Sequence, residues 1–262
     1  MTSGAESRPR LSVVIPVYNE RENVEPLVEE LTAELSRIDA AYEVLLVDDG
    51  STDGSREVMD RLVGEAPCLR VLHLDGNHGQ SAAFGVGFRA ARGEYIVTLD
   101  ADLQNDPADI SRLLEWIPRF DMVAGYRRRR NDAWLRRISS RVANGIRALV
   151  LRDGIRDTGC SLKLFRADLA KTMPVFNGMH RFLPALLQMQ GGTVTQLAVN
   201  HRPRRAGDSK YGVRNRLGRG ILDMSGVWWL KRRAVRPRVS WTATSPDLPK
   251  ERSDASIPED ER

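Results

Sequence analysis

Residues 95–107 read YIVTLDADLQNDP, an apolar run followed by two aspartates one residue apart and then by a proline. The run predicts a strand, and because alternate side chains of a strand share a face, Asp100 and Asp102 are expected to face one spot at its end. Two like charges held together are unfavourable unless a cation or a proton relieves them, and Mg²⁺ commonly joins such carboxylates to substrate phosphates. An isolated Asp-x-Asp is more often a solvated acidic turn, so the choice between the two interpretations depends on the surrounding sequence.

The chain before residue 95 alternates between short apolar runs and amphipathic segments. Residues 22–36, for example, carry one apolar stripe at helical spacing, from Val24 to Leu35. Alternation of strand and helix with short turns predicts right-handed β-α-β units, and hence an α/β, Rossmann-like fold with a mostly parallel sheet flanked by helices. The predicted strands are residues 11–15 (ended by Pro16), 42–47, 69–74, 95–99 and 122–125, and the predicted helices are residues 22–36, 56–64 and 80–91.

Polar clusters follow three of the predicted strands, at Tyr18-Asn19-Glu20, Asp48-Asp49 and Asp100 to Gln104. Ligands of such sheets bind at the carboxyl ends of the strands, so the clusters are expected to converge on one crevice, which indicates a nucleotide-diphosphate site. Taken alone, Asp48-Asp49-Gly50-Ser51 is equally well a helix cap and turn. No G-x-G-x-x-G follows the first strand and no G-x-x-x-x-G-K-[ST] occurs, which disfavours the dinucleotide-binding and P-loop classes.

The charge of the chain is unevenly distributed. Its 262 residues include 40 Lys and Arg against 35 Asp and Glu, a net charge of +5, and the basic residues crowd residues 127–238. That half favours a polyanionic partner, which is a phosphate, an anionic membrane surface or nucleic acid. Cys68 and Cys160 form no disulfide framework or metal-binding spacing, no apolar run reaches the roughly 18 residues of a membrane span, and the N-terminus does not resemble a secretory signal. These features predict a cytoplasmic location.

Three strand-end motifs together resemble the inverting family 2 glycosyltransferases, in order and in spacing. They are Val14 to Glu20, Val47 to Asp53 and Asp100 to Pro107. The resemblance runs from about residue 11 to about residue 231, and its nearest branch is that of the dolichyl-phosphate mannosyltransferases and bacterial polyprenyl-phosphate glycosyltransferases. It implies a GT-A fold with a nucleotide-sugar site and a Mg²⁺ or Mn²⁺ cofactor. The residues it implies are Asp102 and Gln104 at the metal, Asp100, Ala101 and Asp102 at the diphosphate, and Pro16, Tyr18, Glu20, Val47 and Asp49 around the nucleotide.

The predicted fifth strand ends in Gly125-Tyr126-Arg127, where the family places an arginine near the transferred sugar and its phosphates. The resemblance therefore implies that Arg127 acts with Asp100 and Asp102 in catalysis. Residues 157–166, DTGCSLKLFR, also resemble a family stretch. Their own chemistry is not evident from the sequence, and we interpret them as a turn followed by a core strand.

Two further basic stretches match the same branch. Residues 136–144 resemble the segment that receives the lipid phosphate, which implies acceptor contacts from Arg136 and Ser140. Residues 204–211 resemble the loop that closes over the donor, and they imply that Arg204 and Lys210 contact its phosphates. From the residues alone, the first stretch is equally a solvated basic helix face and the second a disordered basic linker. Arginine forks match phosphate geometry well, which favours the functional interpretation.

Two basic amphipathic segments predict C-terminal interfacial helices. Residues 213–233 combine apolar side chains, among them Trp228 and Trp229, with several Arg and Lys, and residues 135–151 show a similar pattern. Core helices with charged outer faces are the commoner outcome of such patterns. The interfacial interpretation is favoured for both segments because the acceptor in this branch is a lipid.

The domain organisation predicted from these features is simple. Residues 1–10 form a flexible N-terminus, residues 11–233 one GT-A domain, and residues 234–262 a disordered tail rich in Pro, Ser and charge. Within the domain, residues 11–126 form the nucleotide-sugar half, and residues 127–233 form the half for the acceptor and the membrane surface.

The predicted function is metal-dependent, inverting transfer of a hexose to polyprenyl or dolichyl phosphate at the cytoplasmic face of a membrane, with GDP-mannose as the first-choice donor by resemblance. A lipid phosphate is already anionic and needs no general base, so the arginine-rich half suits it better than a hydroxyl acceptor. Without a spanning helix, attachment is expected to be peripheral or through a membrane-anchoring partner protein. The alternatives are a UDP-glucose or UDP-N-acetylhexosamine donor, a sugar or polysaccharide hydroxyl acceptor, and a basic module that binds nucleotide sugars or nucleic acid without catalysis. No nucleic-acid motif is recognised, and the acidic strand ends oppose binding of nucleic acid.

Overall fold

A computed structural model describes residues 9–127, 150–151, 153–203 and 214–235 of the chain. A short 3₁₀ helix, Met179–Arg181, lies just before the α-helix Leu183–Met189. In chain order the strands and helices are β1 (Leu11–Val17), α1 (Arg21–Leu35), β2 (Tyr42–Asp48), α2 (Ser55–Glu65), β3 (Leu69–His73), α3 (Gln80–Ala90), β4 (Tyr95–Thr98), α4 (Asp109–Leu114), β5 (Met122–Arg127), β6 (Lys163–Arg166), α5 (Ala167–Lys171), α6 (Leu183–Met189), β7 (Val194–Val199) and α7 (Arg214–Arg233).

The seven described strands form one sheet in the order β3-β2-β1-β4-β6-β5-β7. The strand β6 runs antiparallel to both of its neighbours, β4 and β5, and the other described pairs are parallel. The prediction of an α/β fold with a mostly parallel sheet is therefore confirmed. Because β6 is inserted between β4 and β5 in the opposite direction, the residues just before it lie beside the carboxyl ends of those two strands.

The strand β1 does not end at Pro16, as the sequence predicted, but continues to Val17. The carbonyl of Val14 accepts a hydrogen bond from the Leu99 N–H on the β4 side, and the carbonyl of Val17 accepts one from the Asp49 N–H on the β2 side. Because the backbone groups of a strand alternate between its two sides, Pro16 faces β4, beyond the last β1–β4 pair at Val14. A proline at this position removes no hydrogen bond from the ladder, so the strand passes through it.

Helices cover both faces of the sheet. One buried cluster joins Val13 and Ile15 of β1 to apolar side chains of α1, α2 and α4. The other joins Val14, which points the opposite way, to side chains of α3, α5, α6 and α7. This three-layer packing leaves the carboxyl ends of β1, β2, β4 and β5 together at one edge of the sheet, where the connecting turns are accessible.

The helix α7 agrees with the helix predicted over residues 213–233 and has two different faces. Val227 is buried, whereas Leu222 is 73% exposed and Trp229 is 55% exposed. No helix in the described ranges is both long and apolar enough to cross a membrane. Of the other predicted amphipathic segment only residues 150–151 fall inside those ranges, and of the predicted tail only residues 234–235 do.

Candidate active site

The turns that follow β1 and β2 are joined by hydrogen bonds from backbone N–H groups to side-chain oxygens. The N–H of Asn19 donates to Ser51 Oγ at 3.0 Å, and the N–H of Thr52 donates to Asn19 Oδ1 at 2.8 Å. With the ends of β4 and β5 at the same edge, the structure places most of the predicted donor-site residues at one edge of the sheet. These are Pro16, Tyr18, Glu20, Val47, Asp49, Asp100, Ala101, Asp102, Gln104 and Arg127.

The last residue of β2, Asp48, is surrounded by donors. Its buried carboxylate accepts hydrogen bonds from the Ser51 N–H at 2.8 Å and from Arg56 Nε at 3.3 Å, and it pairs with His73 Nδ1 at 2.9 Å. Burial alone would raise the pKa of Asp48, but the bonds from Ser51, His73 and Arg56 outweigh burial and hold the pKa below its ordinary value. Asp48 therefore stabilises the turn that follows β2.

The next residue, Asp49, positions helix α3. Its Oδ1 accepts a hydrogen bond from the N–H of His78 at 2.7 Å, and its Oδ2 accepts one from the N–H of Gly79 at 2.8 Å. The side chain of Gln80, the first residue of α3, then donates to Asp100 Oδ1 at 2.7 Å. Asp49 thus fixes the segment from which Gln80 reaches the aspartate at the end of β4.

At the end of β4, where Asp100 lies close to Asp102, the pKa of Asp100 is shifted in the opposite direction from that of Asp48. Burial of the Asp100 carboxyl group, together with the nearby charge of Asp102, raises the pKa of Asp100 to about 6. Asp102 is 7% exposed, and its Oδ1 accepts the Gln104 N–H at 3.2 Å. Between Asp102 and Gln104, Leu103 has a left-handed backbone with φ of +60°, which is uncommon for a residue other than glycine.

These residues fit a hard divalent cation that is held partly by the substrate. Burial and the neighbouring charge of Asp102 both disfavour a negative charge on Asp100, and a bound cation would offset both. In the described ranges no group of three or more His, Cys, Asp and Glu side chains could hold an ion without other ligands. The carboxylate of Asp102 and the amide oxygen of Gln104 suit Mg²⁺ or Mn²⁺, with phosphate oxygens and water completing the coordination.

The sequence did not predict that residues at the start of β6 and just before it lie beside Asp100. The hydroxyl of Ser161 is hydrogen-bonded to Asp100 and accepts a hydrogen bond from Asn105 Nδ2 at 2.7 Å. Lys163 is 2% exposed, and its Nζ donates to the carbonyl of Cys160. Burial lowers the pKa of Lys163, while its positive charge counteracts the rise in the pKa of Asp100. The available signal was a lysine inside the apolar run LKLF, where a charge is rarely buried without a role.

The side chain of Arg127 is held by a residue that the sequence did not single out. Its Nε and Nη2 donate to the two carboxylate oxygens of Asp157 at 2.7 and 2.9 Å. Both side chains are largely buried, with 15% and 9% exposure, so this two-bond pair fixes the orientation of the guanidinium. No local pattern indicated the pairing, since the two residues are 30 positions apart.

Four of the predicted site residues lie outside the part of the chain that the structure describes. They are the acceptor-phosphate residues Arg136 and Ser140 and the loop residues Arg204 and Lys210. Their assignments stay predictions that rest on the resemblance.

Comparison with protein families gives a match to the model for glycosyl transferase family 2 over residues 12–173. Among curated proteins, the dodecaprenyl-phosphate galacturonate synthase of Rhizobium johnstonii is 40% identical over 233 residues, which cover 87% of this chain and 69% of that protein. The undecaprenyl-phosphate 4-deoxy-4-formamido-L-arabinose transferase of Edwardsiella ictaluri is 37% identical over 206 residues, covering 78% of this chain and 63% of that protein. The chain thus spans about two thirds of the length of these relatives.

Solved structures agree with the fold. Glucosyl-3-phosphoglycerate synthase from Mycobacterium tuberculosis, in complex with Mn²⁺, UDP and glucosyl-3-phosphoglycerate, superposes with a TM-score of 0.61 at 18% identity, over 88% of this chain and 81% of that one. The same enzyme with Mg²⁺ and UDP gives a TM-score of 0.63. At this identity the likeness shows the GT-A fold alone.

Proposed function

The chain belongs to glycosyl transferase family 2, and from this premise we propose that it transfers a sugar from a nucleoside-diphosphate donor to a polyprenyl phosphate. The observation that carries the proposal is the pair Asp100 and Asp102, two carboxyl groups close together at a strand end, of which Asp102 is 7% exposed, because such a pair suits a cation and a diphosphate. The names of the two curated relatives support a lipid-phosphate acceptor, since they contain dodecaprenyl phosphate and undecaprenyl phosphate.

The donor sugar is the least constrained part of the proposal. GDP-mannose was the first choice from the sequence, and no comparison confirms it. The relatives are named for galacturonate and for 4-deoxy-4-formamido-L-arabinose. Donors of these sugars therefore join GDP-mannose, UDP-glucose and UDP-N-acetylhexosamines as candidates. The solved structures of similar fold contain UDP, which adds weight to a uridine donor.

In the proposed mechanism an oxygen of the lipid phosphate attacks the anomeric carbon in line, with inversion, while the bond from that carbon to the leaving diphosphate breaks. The attacking phosphate is anionic, so the protein needs no general base and must instead position two anions close together. We assign this role to Arg127, whose guanidinium is held by Asp157 at the end of β5.

By the resemblance, Arg136 and Ser140 would receive the acceptor phosphate, and Arg204 and Lys210 would contact the donor diphosphate. Asp102 and Gln104, with Asp100 beside them, would hold Mg²⁺ or Mn²⁺, which when bound stabilises the charge that develops on the leaving diphosphate.

The exposed face of α7 supports peripheral attachment to an anionic membrane, which we place on the cytoplasmic side. Leu222 is 73% exposed, Trp229 is 55% exposed, and the guanidinium of Arg232 lies 4.2 Å from the centre of the Trp228 ring. Basic residues beside exposed Trp and aliphatic side chains are typical of interfacial helices. Trp229→Ala should weaken sedimentation with vesicles that contain anionic lipid; equal sedimentation of the variant would argue against this orientation and leave a partner protein as the means of recruitment.

The proposed function is tested by sugar transfer into organic-extractable lipid from a panel of radiolabelled nucleotide sugars, with polyprenyl phosphate and Mg²⁺ or Mn²⁺. Label in the lipid phase from one donor would support the acceptor and identify the sugar together. Label that moves instead to a soluble sugar acceptor would indicate a hydroxyl-directed member of the family. Donor binding without transfer to either acceptor would overturn the proposal in favour of a binding module.

A further inference from the structure

The turn that contains Asp102 and Gln104 is held by a second segment of the chain, residues 200–202. Asn105 and His201 form an antiparallel β-bridge. Next to the bridge, the N–H of Arg202 donates to the carbonyl of Gln104 at 2.8 Å. A segment almost a hundred positions further along the chain therefore fixes the backbone of a predicted metal ligand.

The side chain of Arg202 extends this contact to a helix. Its Nη2 donates to Asp106 Oδ1 at 2.8 Å, on the turn, and its Nη1 donates to Glu30 Oε2 at 2.6 Å, on α1. The side chains of Asp106 and Glu30 are 17% and 28% exposed, so the ion pairs are screened less than those of a fully solvated surface. Arg202 thus links the turn to a helix of the core.

The turn needs such support because its conformation is unfavourable. Leu103 has a φ of +60°, and a left-handed conformation costs a residue with a Cβ about 1–2 kcal/mol. Its side chain is 3% exposed, which anchors the residue in the core. The turn places Asp102 and Gln104 on either side of Leu103, and release of the strain would change how these two side chains point relative to each other.

We propose that Arg202 is a positioning residue for the cation and diphosphate site: through Asp106, Glu30 and the Gln104 carbonyl it holds the strained turn in the form that binds them. The inference rests on the proposed function only in taking a divalent cation and a nucleoside diphosphate as the ligands. Arg202 acts through the turn, and contact with the donor is no part of its role.

The test compares Arg202→Met with Arg61→Met. Arg61 is the matched control because it also joins α1 to a second acid, with Glu25 at 2.8 Å and Glu65 at 3.2 Å, but along the exposed side of α1 and α2. Calorimetric titration with Mn²⁺ and UDP, and with Mn²⁺ and GDP, measures binding without an acceptor or turnover. We expect Arg202→Met to weaken binding about tenfold, as residues that orient metal ligands do, and Arg61→Met to leave it unchanged.

Two further variants separate positioning from a loss of stability. Arg202→Lys should restore part of the affinity, and Glu30→Gln, which removes only the charge of one partner, should weaken binding less than Arg202→Met does. Wild-type affinity in a folded Arg202→Met or Glu30→Gln variant, or no binding of either nucleotide by the wild type, would overturn the inference. Failure of lipid labelling with intact, Arg202-dependent nucleotide binding would instead overturn only the proposed acceptor.

Discussion

Two pairs of aspartates lie at the ends of β2 and β4, the two strands that flank β1, and the balance between burial and hydrogen bonding differs between them. Asp48 and Asp49, at the end of β2, accept hydrogen bonds from backbone and side-chain donors, and the pKa of Asp48 is lowered. At Asp100, at the end of β4, burial and the charge of Asp102 outweigh the hydrogen bonds from Ser161 and Gln80, and the pKa of Asp100 is raised to about 6. The same residue type is part of the scaffold in one turn and is suited to a cation in the other.

The difference shows that an acidic motif cannot be assigned a role from its residues alone. A carboxylate saturated by N–H donors has its charge stabilised by the protein, and it fixes structure. A pair in which one charge disfavours the other gains most from an added cation. Loss of a carboxylate should therefore reduce activity at the end of β4 and reduce stability at the end of β2.

The largest effect is expected for Asp102→Asn. Loss of this carboxylate removes a predicted metal ligand, so sugar transfer should fall by at least about 10²–10³-fold, while the melting temperature stays near that of the wild type. The measurement is transfer of labelled sugar into the lipid phase across a range of Mn²⁺ concentrations, with circular dichroism as the control for folding. Retention of activity at high Mn²⁺ would remove the role assigned to Asp102.

An intermediate effect, on stability, is expected for Asp49→Ala. The substitution leaves the N–H groups of His78 and Gly79 without their acceptor, so the free energy of unfolding should fall by about 1–3 kcal/mol. Urea denaturation measures it, and Asp39→Ala, at an exposed position, is the control. If stability is retained but nucleotide affinity is lost, Asp49 contacts the nucleotide, as the family resemblance implies. Both turns would then bind the donor, and the difference between them would be smaller.

A smaller effect concerns His180, whose Nδ1 lies 2.8 Å from Ser81 Oγ on α3. Burial and the charges of Arg181 and Lys163 lower the pKa of His180 to about 3. Because its folded-state pKa lies below the unfolded value, its contribution to stability is complete above the unfolded pKa and is lost as the pH falls below about 6.5. Between pH 6.5 and 5.5 the free energy of unfolding should decrease by about 1 kcal/mol, and His180→Gln should remove that decrease.

His73, on the Asp48 side, provides the control of opposite sign. Burial lowers its pKa, but the hydrogen bonds and charges of Asp48 and Asp60 outweigh burial and raise it. Its stabilising contribution is therefore present below the unfolded pKa and is lost as the pH rises through the folded value. His73→Gln should flatten the stability profile on the alkaline side only. Equal effects of the two substitutions on the acid side would contradict the opposite pKa shifts of the two histidines.

Local features of the sequence located the strand-end motifs, the strands β1 to β5 and the helices α1, α2, α3 and α7, and they indicated β6 as a core strand, but β7 and the short helices α5 and α6 were not predicted. Short apolar runs predicted β1 to β5, and helical periodicity placed α1 within about one residue of its observed bounds. Polar residues directly after these runs indicated the crevice, because the carboxyl ends of parallel strands share an edge. Pro16 was assigned wrongly because its effect depends on which neighbouring strand the missing N–H faces.

By itself, the sequence determined the α/β alternation, the edge of the sheet that carries the site and the resemblance to one transferase family, since all three depend on residues close together along the chain. Only the tertiary structure decided how each charge is compensated. Asp157 orients Arg127, Ser161 and Lys163 lie beside Asp100, and Arg202 links the turn of Asp102 and Gln104 to α1. These contacts join residues 30 to 172 positions apart, and they follow from the antiparallel insertion of β6 and the return of residues 200–202 to the turn, which no local pattern specifies.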